Sequence, residues 1–389
     1  MNVFKSLDRS YTNARKWDLE RGPFEDDFLP FSIADSDYKS PKPIIDALKK
    51  RVEHGAFGYN YIDESYEKAV ANWFARRYHF TVQKGEFFPA PGVVAALYLA
   101  VKGLTRKQDK VVIQTPVYPR FFDVIHDNHR ELIDNKLVNI NGHYTMDFFG
   151  LEEAFKQGAK MFILCNPHNP VGRVWTKHEI EQVLNLCKKY KVTLVSDEIH
   201  ADIILKGHEF TSLGHYLDDY DQLMVCTSPN KTFNIAGLHL SNIIIRNPKM
   251  REAIHHELRV SHNCTPNLFA TLACQVAYTE CDDWVDAQNH HIEQNFKRLY
   301  KFFNEHVPEM KITKAEGTYL AWLDMSFLKK DSMYITKKVM DYGITLSDGN
   351  KFDPDLKDFV RMNLACSKDQ LHAGLERLLN FILDERQAG

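Results

Sequence analysis

The chain has 389 residues, 44% of them hydrophobic and 26% charged, with a formal net charge of -3 at pH 7. That balance describes an ordinary soluble protein and leaves no electrostatic claim on nucleic acid or on a membrane surface. The length exceeds the size at which one hydrophobic core keeps growing, so a large domain with a smaller companion is expected.

The first residues, Met1 to Arg9, contain no apolar core of signal-peptide length. No stretch reaches the roughly 18 apolar residues of a membrane helix, so a cytoplasmic protein is expected. Seven cysteines are scattered without a C-x-x-C pair and read as reduced structural thiols. The histidines form no H-E-x-x-H, and His126/His129 and His255/His256 lack companion ligands, so no metal site is expected.

Taken in order, residues 1 to about 40 read as a loop-like arm carrying Lys16-Trp17-Asp18 and Phe31-Ser32-Ile33-Ala34-Asp35-Ser36-Asp37-Tyr38. Ser40-Pro41-Lys42-Pro43 then opens a helix through Ile44, Ile45, Leu48 and Val52. Gly55-Ala56-Phe57-Gly58-Tyr59-Asn60-Tyr61 brackets aromatics with glycines, either a packed turn or an aromatic loop that reaches a site. A helix through Tyr66, Val70, Trp73 and Phe74 precedes Pro91-Gly92-Val93-Val94, a glycine turn feeding an apolar helix. The free N–H groups and positive dipole end at such a start suit a phosphate. Lys110 to Gln114 reads as a buried strand and Thr115-Pro116-Val117-Tyr118-Pro119 as the loop at its carboxyl end, where open α/β sheets place ligand groups.

The clearest α/β unit runs from Lys160 to Asp197. Strand Met161 to Cys165 leads into the loop Asn166-Pro167-His168-Asn169-Pro170-Val171-Gly172-Arg173. Thr176 and Glu179 form a capping-box pattern ahead of a helix that buries Ile180, Val183, Leu184 and Cys187, and Val192 to Val195 returns as a parallel strand. Ser196-Asp197-Glu198-Ile199-His200-Ala201-Asp202 then gathers carboxylates and an imidazole at a strand end. Lys231, in Thr227-Ser228-Pro229-Asn230-Lys231-Thr232-Phe233-Asn234, falls between the strand Leu223 to Cys226 and the strand character of Ile243 to Ile245. Beyond about residue 247 amphipathic helices dominate, with a long one from Trp284 to Phe303 and strands at Met310 to Thr313 and Thr318 to Leu323. The apolar strand Val360 to Ala365 is interrupted by Arg361, and a buried arginine needs an anion, either a carboxylate side chain or a ligand.

Asn169-Pro170-Val171-Gly172, Asp197, Lys231 and Arg361, in that order, resemble the motifs of the fold-type I pyridoxal-phosphate (PLP) enzymes, the aminotransferase superfamily. The details around Asp197, Lys231 and Lys16-Trp17-Asp18 look most like the MalY/PatB-type cystathionine β-lyases, also called C-S lyases. The resemblance implies an α/β three-layer sandwich with a mostly parallel sheet. Residues 1–45 would be an arm contributing to the small domain, 46–280 the large PLP-binding domain and 281–389 a smaller α+β domain.

It also implies roles. Lys231 would be the Schiff-base lysine and the base at Cα. Asp197 would hold the pyridine nitrogen protonated, so that the ring acts as an electron sink. Asn169 would donate to the ring oxygen, Tyr118 would stack on the ring, and His200 would lie beside it. Gly92, Val93, Val94 and Ser228 would supply donors to the phosphate, with Tyr59 reaching it from the neighbouring subunit of a homodimer with shared sites. Arg361 would fork the substrate carboxylate beside the Ala34-Asp35 backbone. Two departures stand out: His200 where many aminotransferases have tyrosine, and His239 where they have an arginine of the phosphate cradle. The expected activity is β-elimination of L-cystathionine, L-cystine or related cysteine S-conjugates to pyruvate, ammonia and a thiol. The alternatives are an aminotransferase and a regulatory protein-binding relative.

Overall fold

The computed structural model describes residues 4–21 and 27–388. The parts of the expected arm at 1–3 and 22–26 lie outside them. The arm is less loop-like than expected, since Arg15–Leu19 form a single π-helical turn and β1 (Leu29–Pro30) is a short strand. Helix α1 (Lys42–Glu53) starts with proline in its first turn, and α2 (Glu64–Arg77) is capped by the Asp63 carboxylate, which accepts from the Tyr66 N–H. Strand β2 (Phe87–Ala90) runs into α3 (Val93–Leu104), whose N-cap is Gly92 at φ 116°.

The chain continues through β3 (Lys110–Ile113), α4 (Arg120–His126), β4 (Glu131–Asp134) and a hairpin of β5 (Val138–Ile140) and β6 (His143–Thr145). After α5 (Phe148–Lys156) comes β7 (Met161–Cys165). Helix α6 (Lys177–Tyr190) carries both halves of the Thr176/Glu179 capping box and leads to β8 (Thr193–Asp197). The strand thus extends two residues past Val195, and Asp197 is its last residue rather than part of the loop beyond it. Strands β9 (Leu223–Thr227) and β10 (Ser241–Ile244) flank the Lys231 loop.

These strands form one seven-stranded sheet in the order β2-β10-β9-β8-β7-β3-β4. The run from β9 to β4 is parallel, and β10 is antiparallel to both of its neighbours. Alternation along β7 shows why it is covered on both faces. Phe162 and Leu164 pack with α1, α2 and α6, whereas Met161, Ile163 and Cys165 pack with α3 and α4. Helices α7 (Pro248–Val260) and α8 (Leu268–Glu280) complete the two outer layers.

A second core gathers on α9 (Asp282–His306), the strands β11 (Lys311–Ile312) and β12 (Leu320–Asp324), α10 (Ser332–Lys338), β13 (Ile344–Thr345), β14 (Ser347–Asp348), β15 (Phe359–Asn363) and α11 (Lys368–Ala388). Its antiparallel sheet has the order β11-β12-β15-β14, while β13 pairs with β1 of the arm. Phe4, Phe31 and Tyr38 of the arm are buried in this second core, and Ile44 in the first. Helix α9 serves both, with Val285 in the first core and Ile292 onward in the second. Among the described residues no helix is long and apolar enough to cross a membrane.

Candidate active site

The carboxyl ends of β3, β7, β8 and β9 open toward the second core, the crevice in which α/β sheets hold ligands. Register sets Asp197 level with Cys165 on one side and Cys226 on the other. Among the described residues its carboxylate accepts one hydrogen bond, from the Ile199 N–H at 3.1 Å, and forms no ion pair within 4 Å. Burial, first of all, pushes this carboxyl up to about 7, against the opposing pull of the Ile199 N–H and the positive Lys231.

Lys231 sits on the β9–β10 loop, half-buried, and its Nζ donates to the Ala34 carbonyl at 2.6 Å. Burial lowers it to about 8, with Asp35 opposing and Arg361 assisting. The loop is fixed by local bonds: Phe233 N–H to the Pro229 carbonyl and Ile235 N–H to that of Asn230. Asn234, in the left-handed region at φ 55°, turns its amide onto the Ser36 and Tyr38 carbonyls.

Arg361 projects from β15 at 5% exposure and is 4.8 Å from the Phe352 ring centroid. It donates to Asn169 Oδ1 at 3.0 Å, to the Ser32 carbonyl at 2.7 Å and to Ser347 Oγ at 3.1 Å. Its Nε is buried with no partner, and no carboxylate lies within 4 Å among the described residues. The structural ion pair weighed from sequence is therefore absent there. Burial lowers this guanidinium to about 10. Because Arg361 engages the Asn169 oxygen, the amide NH₂ of Asn169 points away from it and has no protein acceptor among the described residues.

Tyr118 is half-buried on the loop after β3, anchored by the Val117 N–H on the Phe352 carbonyl at 3.0 Å. His200 is buried with Nδ1 unpartnered, edge-on to Tyr319 at 5.9 Å. Burial first, then the positive charges of Lys231 and Arg361, drive it well below the ordinary histidine range, so it is neutral. At the other end, Gly92, Val93 and Val94 form the start of α3, which has no side-chain cap and no acidic residue in its first turn. The Gly92 N–H, expected to serve a phosphate, is instead taken by the Ala90 carbonyl at 2.8 Å, because the turn folds back on itself, whereas the Val93 and Val94 N–H groups have no backbone acceptor among the described residues and can face an anion.

Three expected placements differ in detail. The Ser228 hydroxyl donates to the Leu240 carbonyl at 2.6 Å, so its proton is engaged within the protein. The backbone beside Arg361 is Ser32, whereas Ala34 faces Lys231 and the Asp35 carbonyl accepts from Lys16 and Asn363. The cause is the path of the arm: β1 pairs with β13, which carries Ser32 over Ser347 and the end of Arg361. His239 is exposed at φ 58° and adds no fixed charge in place of arginine. Tyr59 is fully exposed, with nothing of its own chain covering it.

The sequence reading missed Tyr319, whose hydroxyl donates to the Ala34 carbonyl at 3.0 Å, along with Ser32, Ser347 and Asn363. Only the proximity of the Thr318 to Leu323 strand to Arg361's strand, had their pairing been known, could have found Tyr319. Among the described residues no group of three His, Cys, Asp or Glu is disposed to hold a metal.

The chain is 37% identical to cystathionine beta-lyase PatB of Bacillus subtilis (strain 168) over 382 residues, 97% of this chain and 99% of PatB. Among solved structures it is similar to a PLP-bound putative aminotransferase from Clostridium difficile 630, with 36% identity, TM-score 0.94, and 98% and 99% of the two chains covered. Cystalysin from Treponema denticola, which contains a pyridoxal 5'-phosphate cofactor, gives 35% identity and TM-score 0.94 over 98% and 99% of the two chains. The model of aminotransferase class I and II matches residues 26–378, and the chain belongs to that family.

Proposed function

We propose that this protein is a PLP-dependent carbon–sulfur lyase that converts L-cystathionine, L-cystine or related cysteine S-conjugates to pyruvate, ammonia and a thiol. One observation carries the reading: Asp197, Lys231 and Arg361, all desolvated at one crevice, each lack a side-chain counter-ion within 4 Å among the described residues. A buried charge without a partner is costly, so the partners belong to ligands. The residues fit PLP. Asp197 is an anion for a protonated ring nitrogen, the Asn169 NH₂ a donor for the ring oxygen, and the uncapped start of α3 a phosphate seat. Tyr118 is the aromatic face for the ring. When bound, PLP supplies an electron sink for the pair left when a Cα proton departs.

Arg361 forks the α-carboxylate of the substrate through a guanidinium already oriented by Asn169, Ser32 and Ser347. Lys231 takes the Cα proton. At about 8, roughly a tenth of it is neutral base at pH 7, against about one part in 3,000 for an ordinary lysine. A thiolate then leaves from Cβ and takes a proton from Lys231 or Tyr118. The three-carbon remainder is hydrolysed to pyruvate and ammonia. PatB, by its name, is a lyase of this kind, and its similarity spans nearly the whole chain.

The same reading includes a homodimer in which Tyr59 serves the neighbouring subunit. Its support is the full exposure of Tyr59 on a loop whose Phe57 rests on Phe269 at 5.8 Å. Seven unpaired thiols, six of them buried, suit a cytoplasmic setting.

The test is to offer purified protein L-cystathionine and L-cystine and to assay pyruvate, ammonia and thiol, with borohydride reduction to map the PLP adduct. An adduct on Lys231 and pyruvate from either substrate are expected. Absence of pyruvate together with rapid amino-group exchange between an amino acid and a keto acid would replace this reading with an aminotransferase.

A further inference from the structure

Residues 32–37 form a strap between the two cores, and both ligand-facing cations touch it. The Ser32 carbonyl accepts from Arg361, and the Ala34 carbonyl accepts from Lys231 at 2.6 Å and from the Tyr319 hydroxyl at 3.0 Å. Behind the strap lies a clasp. The buried Asp37 carboxylate accepts from Lys16 Nζ at 2.7 Å, Trp17 Nε1 at 2.8 Å and Gln370 Nε2 at 2.9 Å. Lys16, also without exposure, gives a further bond to the Asp35 carbonyl at 3.1 Å, next to Ala34. Arg9 holds the Asp35 carboxylate at 2.9 Å. A fully buried Lys–Asp pair stabilises less than apolar residues of its size, so packing alone does not account for it.

What it secures has a specific chemical use. A carbonyl oxygen accepts and cannot donate. An amine that gives one N–H to Ala34 keeps its lone pair aimed elsewhere, and Tyr319 has committed its own proton to that oxygen. The charged or titratable groups that act on Lys231 are Asp35, Arg361, Asp197, Lys16 and the neutral His200. Of these Asp35 and Asp197 favour the protonated amine, and Asp35, the stronger of the two, is the one that Arg9 and Lys16 engage.

We propose that the Ala34 carbonyl is the acceptor that aims the Lys231 amine, and that the Lys16–Asp37 pair and Tyr319 are positioning residues that hold this carbonyl in place. The proposal rests on Lys231 acting as the base.

Two variants test it, Lys16→Met and Tyr319→Phe. In the holoenzyme each is expected to lower kcat about 10-fold or more with KM within about 3-fold of wild type, the signature of a misaimed base. In cofactor-free protein, the pH midpoint for acetylation of Lys231, mapped by mass spectrometry, is expected to rise by about half a pH unit or more in Lys16→Met. That follows because a nearby cation is gone while Asp35, still held by Arg9, goes on favouring the protonated amine. A purely structural clasp would lower the melting temperature and leave unmoved the Lys231 midpoint in Tyr319→Phe, which removes a hydrogen bond to the Ala34 carbonyl and no charge. Wild-type kcat or an unmoved midpoint in Tyr319→Phe, or an unmoved midpoint in folded Lys16→Met, overturns the proposal. If Lys16→Met does not fold, kcat of Tyr319→Phe within about twofold of wild type overturns it alone. Should the protein bind no PLP, the functional reading falls while the acetylation midpoint still decides the clasp.

Discussion

Asp197→Asn should make the cofactor-free protein more stable while destroying its activity. The folded carboxyl is raised from 3.8 to about 7, chiefly by burial. Those 3 or so units correspond to roughly 4 kcal/mol at 1.36 kcal/mol per unit. The sign follows from the direction. A carboxyl with a raised folded value binds its proton more tightly in the folded state, so its penalty is absent below about pH 4 and complete above about pH 7. Asparagine keeps an oxygen for the Ile199 N–H and carries no charge to desolvate. At pH 8 the cofactor-free variant should melt higher, by at most about 5 °C, using about 2.1 cal/mol/K per residue over the chain. The gap should close as pH falls toward 4. PLP should stabilise wild type more than the variant, because only the carboxylate can pair with a protonated ring nitrogen. Turnover should fall by at least about a hundredfold, equal to about 2.7 kcal/mol. Thermal melts of both proteins from pH 4 to 8, with and without PLP, supply the measurement. A variant no more stable than wild type at pH 8, or a gap that does not shrink on acidification, refutes the argument that Asp197 is a desolvated, unpaired anion.

Arg361→Lys keeps the charge but loses the fork, so kcat/KM for L-cystathionine should drop about 10- to 100-fold, read by steady-state pyruvate release. Asn169→Asp sets a carboxylate where an amide oxygen now sits 3.0 Å from Arg361, giving the guanidinium an internal partner. KM should rise about 10-fold as the substrate carboxylate meets a neutralised fork. Gly92→Ala should weaken PLP binding about 10-fold in an absorbance titration. A Cβ there meets nothing within 4 Å, so the cause is the φ of 116°, a backbone state worth about 1–3 kcal/mol against non-glycine residues.

The site was legible in sequence wherever a short motif ends a buried strand. Asp197, Asn169 and Lys231 follow runs such as Met161 to Cys165, whose continuous apolar character marks a strand covered on both faces. The strand–helix–strand run from Lys160 to Asp197 then made one parallel strand pair predictable, β7 with β8, while the mostly parallel sheet as a whole came from the family resemblance. Strand β2 was not legible, because Pro89 at its centre reads as a turn. It is tolerated since β2 is an edge strand, paired only with β10. The two-residue β1 has no signal of its own and exists through its pairing with Ile344 and Thr345, over 300 residues away in sequence. Ser32 and Tyr319 were invisible for the same reason, as their roles come from where the arm passes. Lys16, read only as part of a loop-like arm, is fully buried, because Asp37 and the Asp35 carbonyl satisfy it.

The arrangement also explains how ligands act on the architecture as a whole. Arg361 belongs to β15, whose neighbours Val360 and Met362 fill the second core, while Asp197 and Lys231 stand at the edge of the large sheet. Each of the three is desolvated, and at neutral pH the two cations face one another across the crevice without a side-chain anion between them among the described residues. On the proposed function, a substrate carboxylate on Arg361 would supply the missing anion, and a protonated ring nitrogen would give Asp197 its cation. Any ligand that binds only the assembled form stabilises it in proportion to its occupancy. On the proposed function, ligand binding would be coupled to the contact between the two cores through the same side chains, Asp197 and Lys231 on the large sheet and Arg361 on the second core.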